Sequence, residues 1–385
     1  MFKESSQSLA DELLDVCQRG LRQNVLELDH SLYLCAGQHQ FKSLWTRDFC
    51  FSIPGICQMG RSDVAEFHLQ KLINARRSKD ALIPRLMDSL PSALRVTVNM
   101  SFYRMGSSRS LRVSQPLRPE YLGEHRTESI DSNFLVILMS IFLGKYYDKM
   151  EWLHRNQSAL EEVFQYYCDK TEDGLIRQNS FSDWQDSAKR KGLTSYTNAL
   201  YLAVLKSMKQ LGWPISVSYE ETLKSFKRQF YDEEAGLFLS EVGKNQIGLD
   251  TQLLLLDYDI LSYEESLDLY SALVKSEFWV QYGLCNLRNY SLREISWTTQ
   301  LVGLKRYHGK MIWSWLVGYS LKIARKMKDE KSVQEIINYA HRHLLFENQI
   351  YEIYSIKTQK PFKNLIYRSE SPFSWGCAKM IEGLN

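Results

Sequence analysis

The chain has 385 residues, 44% hydrophobic and 24% charged, a balance ordinary for a globular protein with a sizeable core. Its 48 basic and 45 acidic side chains leave a net charge of +3, far from the concentrated basic stripe that nucleic-acid binding needs. The seven cysteines, at 17, 35, 50, 57, 168, 285 and 377, are scattered and form no CxxC pair, which argues against a disulfide framework or zinc site and fits a reducing compartment.

The N-terminal segment places Leu9, Leu13, Cys17 and Leu21 at helical spacing, so a helix with one buried face is expected. It is amphipathic and acidic, unlike a signal peptide. Val25–Cys35 alternates weakly and reads as strand. Helices are then expected near 47–59 and 62–76. The stretch from about 78 to 127 reads as a long irregular insert, with a short β segment at Leu94–Met100; its length favours a functional role over a plain connector. Further helices are expected near 131–147, 150–168, 195–211, 217–230, 248–257, 262–276, 311–327, 330–344 and 372–384.

Some of these are amphipathic: in 330–344, Val333, Ile336, Ile337 and Ala340 share one side. Others, such as 131–147 and Leu253–Leu256, are apolar nearly all round and must be enclosed by other elements. That mixture predicts an all-α fold of two concentric layers. The longest apolar run, Phe134–Leu143, is about half of the ~20 residues that span a bilayer. No Pro/Gly/Ser-rich linker divides the sequence, so residues 1–385 are read as a single domain. The expectation is a soluble, cytoplasmic protein with neither nucleic-acid nor membrane partners; oligomeric state is not legible.

Familiar cofactor motifs are missing: no Walker loop, GxGxxG or HExxH is present. His341 and His343 point to different sides of a helix and read as part of a solvated face. No metal or cofactor is expected. Aromatic residues make up 12% of the chain, with 22 Tyr and 9 Trp, which suits a large core as well as a carbohydrate cleft.

The residues that carry chemistry lie where helices are joined. Leu44-Trp45-Thr46-Arg47-Asp48-Phe49 stands just ahead of a helix. Asp48 there can be a helix cap with Arg47 as its surface partner, or the pair can bond sugar hydroxyls beside the Trp45 plate. A second stretch runs Asp173-Gly174-Leu175, then Ser182-Asp183-Trp184-Gln185-Asp186. A third comprises Tyr351-Glu352-Ile353-Tyr354 and Tyr367-Arg368-Ser369-Glu370-Ser371-Pro372-Phe373-Ser374-Trp375. Taken singly, Asp186 can be a turn cap and Glu352 an exposed loop glutamate.

Taken in order, the segments resemble the inverting glycosidases built on an (α/α)6 barrel: glucoamylases, the amylo-α-1,6-glucosidase part of glycogen debranching enzymes, neutral invertases and glycerate-glycoside hydrolases. The resemblance spans nearly the whole chain. Trp45-Thr46-Arg47-Asp48 is similar to their W-x-R-D segment, which grips the terminal sugar. Glu128-Ser129-Ile130-Asp131-Ser132 resembles the acidic opening of an inner helix, with Asp131 near the sugar. Asp173-Gly174-Leu175 with Trp184-Gln185-Asp186 resembles D-G-L … W-x-D, whose last Asp is the general acid.

Ser195-Tyr196-Thr197-Asn198-Ala199-Leu200-Tyr201 is similar to the following S-x-x-N-A-L-x helix. His308-Gly309-Lys310-Met311-Ile312-Trp313-Ser314-Trp315 resembles an N/H-G-G-x-x-W-P-W turn, with Lys310 in place of the second Gly and Ser314 in place of Pro. Tyr351-Glu352 with Ser371-Pro372-Phe373-Ser374-Trp375 resembles the closing segment, whose first glutamate is the general base. The implied fold is an (α/α)6 barrel, a toroid of six helical hairpins.

The resemblance implies an inverting glycoside hydrolase in which Asp186 is the acid and Glu352 the base, with a water between them. Trp45, Arg47, Asp48, Asp131, Trp184, Asn198, His308, Trp313 and Trp315 are the implied carbohydrate-binding residues. An acid near neutral pH needs a pKa above the ordinary ~3.9 of Asp; burial beside Trp184 and repulsion from Asp183 are expected to supply that. The leading substrate is an α-glucan or malto-oligosaccharide, cut at its non-reducing end to release glucose. Sucrose or a glucosyl- or mannosylglycerate is the second choice. A non-catalytic carbohydrate-binding barrel needs neither acid nor base, and an epimerase would rest on His308 alone.

Overall fold

The computed structural model describes residues 2–167, 170–279 and 290–385; Cys168, Cys285 and the expected helix end at 168 lie outside them. The helices, in chain order, are α1 (Phe2–Asn24), α2 (Thr46–Gln58), α3 (Ser62–Asn74), α4 (Ser92–Arg104), α5 (Ile130–Tyr146), α6 (Met150–Gln165) and α7 (Ser195–Gln210). They continue with α8 (Tyr219–Phe230), α9 (Leu249–Asp257), α10 (Tyr263–Lys275), α11 (Trp297–Leu301), α12 (Ser314–Lys326), α13 (Glu330–His343) and α14 (Ser374–Leu384).

Helices α2, α5, α7, α9, α12 and α14 are buried along almost their whole length, as helices with no polar face must be. Each packs on the next, and α14 packs on both α12 and α2, so the ring closes. Helices α1, α3, α6, α8, α10 and α13 lie outside, each packed on an inner neighbour. This is the (α/α)6 barrel. No helix among the described residues is long and apolar enough to cross a membrane.

The closing seam is tight. A Cβ on Gly318 of α12 would meet the Met380 backbone nitrogen at 2.4 Å, so only glycine lets α12 and α14 approach this closely.

Three of the outer helices begin differently from the inner ones. Ser218, Ser262 and Asp329 cap α8, α10 and α13 with side-chain oxygens. The inner helices α2, α7, α9, α12 and α14 start from extended residues (Trp45, Thr194, Gly248, Trp313 and Phe373) without a side-chain cap. Their first-turn N–H groups, and the positive ends of their dipoles, therefore collect at one end of the barrel. Short antiparallel ladders stitch the loops there: Leu44–Trp45 with Leu86–Asp88 and Arg118–Glu120, and Met311–Trp313 with Ile353–Ser355.

Two expectations need correcting. The insert is not irregular throughout, since it contains α4 and two of those strands. Leu94–Met100 is helix rather than strand. The buried face of α4 is Arg95, Asn99 and Tyr103, spaced four apart, and Arg95 is buried because it grips Asp88 through two bonds of 2.5 and 2.6 Å. A polar buried face hides helical periodicity from a hydrophobicity reading. Val25–Leu28 and Ser31–Leu34 do pair as a hairpin. His341 bonds Glu12 at 2.8 Å on the outside of the barrel.

Candidate active site

A cavity of about 800 Å³ opens at the end where the inner helices begin. Asp186 and Glu352 both line it, with Trp45, Arg47, Asp48, Trp184, His308 and Trp313. Asp131, Asn198 and Trp315 do not.

Arg47 leaves the first turn of α2 and is fixed from beneath. Its Nε donates to Asp131 Oδ2 at 2.7 Å, and Nη2 donates to Asp131 Oδ1 at 3.0 Å and Ser129 Oγ at 2.9 Å. Tyr196 adds a bond to the same carboxylate at 3.1 Å. Asp131 thus acts through Arg47, whose Nη1 stands 3.6 Å from Asp186 Oδ2. Asp48 is not a helix cap: the N-cap position is Trp45, and it makes no capping bond. Burial pushes the Asp48 carboxyl up to about 7, against the pull of Arg47.

Asp186 sits on the loop between strands Leu175–Gln178 and Gly192–Leu193. Asp183 ties that loop down, accepting from Gln178 Nε2 and from the Gln185 backbone and pairing with Arg190 at 3.1 Å. Trp184 is anchored by its Nε1 bond to Asp250 Oδ2 at 2.6 Å. Its indole meets His308, Trp313 and Trp315 edge-on, at 5.2, 5.4 and 5.1 Å between ring centres. His308 lies parallel to Trp313, and its Nε2 is 3.7 Å from Asp186 Oδ1, beyond hydrogen-bond reach.

Partial desolvation in the cavity raises the Asp186 carboxyl, whose side chain stays 44% exposed to solvent, but His308 nearby and the Arg47 and Arg85 charges outweigh it, leaving its pKa below the usual value. The expected rise is therefore not seen. Asp183 does not supply repulsion because its own charge is paired. His308 itself is pushed down by burial, against the pull of Asp186.

Glu352 is 2% exposed, which rules out a loose loop glutamate. Its N–H donates to Glu370 O at 2.9 Å and its carbonyl accepts from Ser314 N at 3.1 Å, so the base of α12 and the closing segment hold it jointly. Tyr307 and Tyr367 each donate a hydroxyl to one carboxylate oxygen. Burial nevertheless raises its pKa to about 8; the two phenols oppose the rise, while Glu370 and Asp48 add to it. Tyr307 and His308 are adjacent in sequence, one on Glu352 and the other beside Asp186, so a single turn links the two carboxyls.

Of the other implied residues, Asn198 bonds only backbone, at Ile176 and Thr194, and so fixes the strand leading to the Asp186 loop. Trp315 is buried and stacks on Trp375 at 4.2 Å; Trp375, not Trp315, faces the cavity. One face of Trp45 is covered by the Arg85 guanidinium at 4.8 Å.

Sequence reasoning gave no role to Tyr307, Arg85 or, within the third stretch, Tyr367 and Glu370. Tyr307 adjoins a motif residue, a usable signal; Arg85 lies in the insert, with none. Glu370 accepts backbone N–H bonds from Gln38, His39, Phe41 and Ser371, clamping the loop that brings Phe41 to the cavity wall. Among the described residues no group of three or more His, Cys, Asp or Glu is arranged to hold a metal ion.

An (α/α)6 barrel with two separated carboxyls in one aromatic-walled cavity defines a glycoside hydrolase. Residues 22–381 match the amylo-alpha-1,6-glucosidase family, and the chain belongs to it. No individually curated protein matches significantly. Among solved structures, the fold is similar to a rhamnosidase from Klebsiella oxytoca with rhamnose bound, at TM-score 0.67 and 12% identity, covering 97% of this chain and 63% of that one. It is also similar to a mannosylglycerate hydrolase from Thermus thermophilus in complex with Tris and D-glycerate, at TM-score 0.63 and 12% identity, covering 97% and 99%. A third, an uncharacterized conserved protein from the same Thermus species, gives TM-score 0.64 at 13% identity over 96% and 99%.

Proposed function

We propose that the enzyme hydrolyses a glycosidic bond with inversion, Asp186 protonating the leaving oxygen and Glu352 activating water on the opposite face. The carrying observation is that both carboxyls line one cavity while each is held by a separate set of partners. Inversion needs about 6.5–9.5 Å between them, enough for the water. Arg47 and Asp48 present a donor and an acceptor to the hydroxyls of the terminal sugar. Trp184, Trp313 and Trp375 wall it in.

A sugar seated over Asp186 strips that carboxyl of solvent and pushes its pKa upward, the direction an acid requires. The family match favours an α-linked terminal glucose, with α-glucan ends as the leading substrate. The likeness to a mannosylglycerate hydrolase favours small glycosides as the second reading. Both share a terminal sugar and differ in what it is attached to.

A glycosyl fluoride needs no proton donor, so it separates the two roles. Asp186→Asn should lose about 10²–10⁴-fold on a disaccharide but far less on α-glucosyl fluoride, whereas Glu352→Gln should lose both activities. The reverse pattern would exchange the roles, and unaltered turnover in both variants would end the hydrolase reading. NMR of the first-formed anomer tests inversion.

A further inference from the structure

Beside the two carboxyls and the charged groups around them, the cavity also has an apolar wall. That wall includes Val96 and Met100 of α4, Leu122, Trp297 of α11 and Val302. Ser92, Thr97, Glu120, Glu124 and Thr298 are interspersed with them. The polar side chains around this wall are largely engaged with one another. Ser92 donates through its N–H and hydroxyl to Glu120, both at 2.7 Å, Thr298 donates to Glu124 at 2.9 Å, and Asn179 donates to Glu128 at 3.2 Å.

The apolar wall also continues outward. Of the fourteen large apolar side chains exposed among the described residues, Leu122 and Trp297 line the cavity itself, and Leu301 and Leu365 each adjoin a residue of the Val302–Asn364 contact at its wall. Trp297 is 64% and Leu122 43% exposed while both line the cavity; Leu301 and Leu365 extend the same rim. Hydrogen bonds from Arg104 to Leu365 O, Asn364 to Val302 O and Gln300 to Leu292 O join these segments into one collar. A contiguous exposed apolar patch marks a binding surface, and this one is continuous with the cavity that holds the carboxyls.

We propose that the collar is the leaving-group subsite and that the substrate is an amphipathic glycoside: a neutral terminal sugar on an apolar, alkyl-like or aryl aglycone. This rests on the hydrolase reading above. A second sugar or a glycerate needs hydrogen-bond partners, and aliphatic side chains such as Val96, Met100 and Leu122 offer none. An alkyl or aryl group needs only surface to cover.

The test is a series of methyl, butyl, hexyl and octyl α-D-glucopyranosides below their micellar concentrations, with maltotriose, glucosylglycerate and α-glucosyl fluoride alongside. kcat/KM should rise about fourfold for each methylene that reaches the collar. Trp297→Ala and Leu122→Ser should flatten that slope, losing an order of magnitude more on the octyl glycoside than on the fluoride, which has no aglycone carbon. A flat series with maltotriose or glucosylglycerate preferred overturns the apolar subsite and leaves hydrolysis standing.

If the wild type turns over none of these probes, calorimetry on the same protein decides. Tighter binding of octyl glucoside than of glucose, weakened by Trp297→Ala, upholds the collar; equal binding overturns it. A dimer in sedimentation that Leu301→Ser and Leu365→Ser dissociate would make the patch a subunit interface and likewise overturn the proposal.

Discussion

The two ends of the inner barrel both bury charged groups, and they treat them in opposite ways. Where the inner helices end, Lys322 bridges Asp257 and Glu382 at 2.8 and 3.0 Å, and Lys379 meets Glu382 at 2.7 Å. Tyr319 adds a bond to Asp257 at 2.8 Å, and Lys326 donates to the last carbonyls of α9. Despite burial, Lys322 and its neighbours hold the Asp257 carboxyl below its usual pKa. Where the helices begin, Asp48 and Glu352 form no ion pair among the described residues, and burial lifts them to about 7 and about 8. A buried charge matched by its neighbours is structure; one left to face a cavity can exchange a proton.

The sharpest way to break that comparison is to delete a charge at the paired end. Lys322→Met leaves Asp257 and Glu382 short of their shared cation, and removing one partner of a buried pair costs roughly 3–5 kcal/mol. Denaturant unfolding should register that loss. The pH profile of kcat/KM should stay in place, because the site is at the other end of the helices. A shifted profile would mean that the two ends are electrostatically coupled and the contrast is false.

At the cavity end, the same logic sets the pH dependence. The kcat/KM profile reports the free enzyme, and between them the two carboxyls need one proton. Below the lowered pKa of Asp186 both are protonated and no base remains; above about 8 both are ionised and no acid remains. Between these limits the one proton rests mainly on Glu352, so the productive arrangement, with the proton on Asp186, is the minor of two singly protonated states in the free enzyme. The profile should therefore be a bell whose alkaline limb lies near 8, with both limbs belonging to the pair rather than to either residue. Tyr367→Phe removes one donor from the ionised Glu352. A hydrogen bond to a charged group contributes about 1.5–3 kcal/mol, so the alkaline limb should move up by roughly one to two pH units. An unmoved limb would separate Glu352 from that titration.

Much of this was legible in the chain, and what was not has physical causes. Leu253–Leu256 and Phe134–Leu143 revealed enclosed helices because an apolar run has few other places to go, and the spacing of Val333, Ile336, Ile337 and Ala340 marked α13 as half-buried. Helix α4 escaped because its buried face is polar, held by Arg95 against Asp88. In the site, Trp45, Arg47 and Asp48 stand at the start of α2 and Asp186 and Glu352 on loops between short strands, and chain order alone aligns all five with known segments. The second tier did not follow from spacing. Asp131 and Asn198 have the residue types of ligand contacts but bond Arg47 and backbone. Trp315 and Trp375 differ only in which one turns its face inward, and Tyr307 and Tyr367 reach Glu352 through folding that brings positions 307 and 367 together.

The last expected effect is the most direct test of the contrast between the ends. The folded state holds the Glu352 proton to about 8, whereas an unfolded glutamate releases it near ~4.3. Between those values the native state binds more protons than the unfolded state, so this residue's contribution to stability falls as pH rises and levels off above about 8. Glu352→Gln keeps the shape without the titration. It also gives up part of the bonding to Tyr307 and Tyr367, which returns some of the gain. The net expectation is a variant equal to or less stable than the parent near pH ~4, with an advantage that grows as pH rises and levels off above about 8. Lys322→Met should be less stable than the parent across that whole range. Thermal unfolding of the two variants at both pH values measures the difference, and a Glu352→Gln variant that loses stability as pH rises would place an unrecognised cation beside that carboxylate.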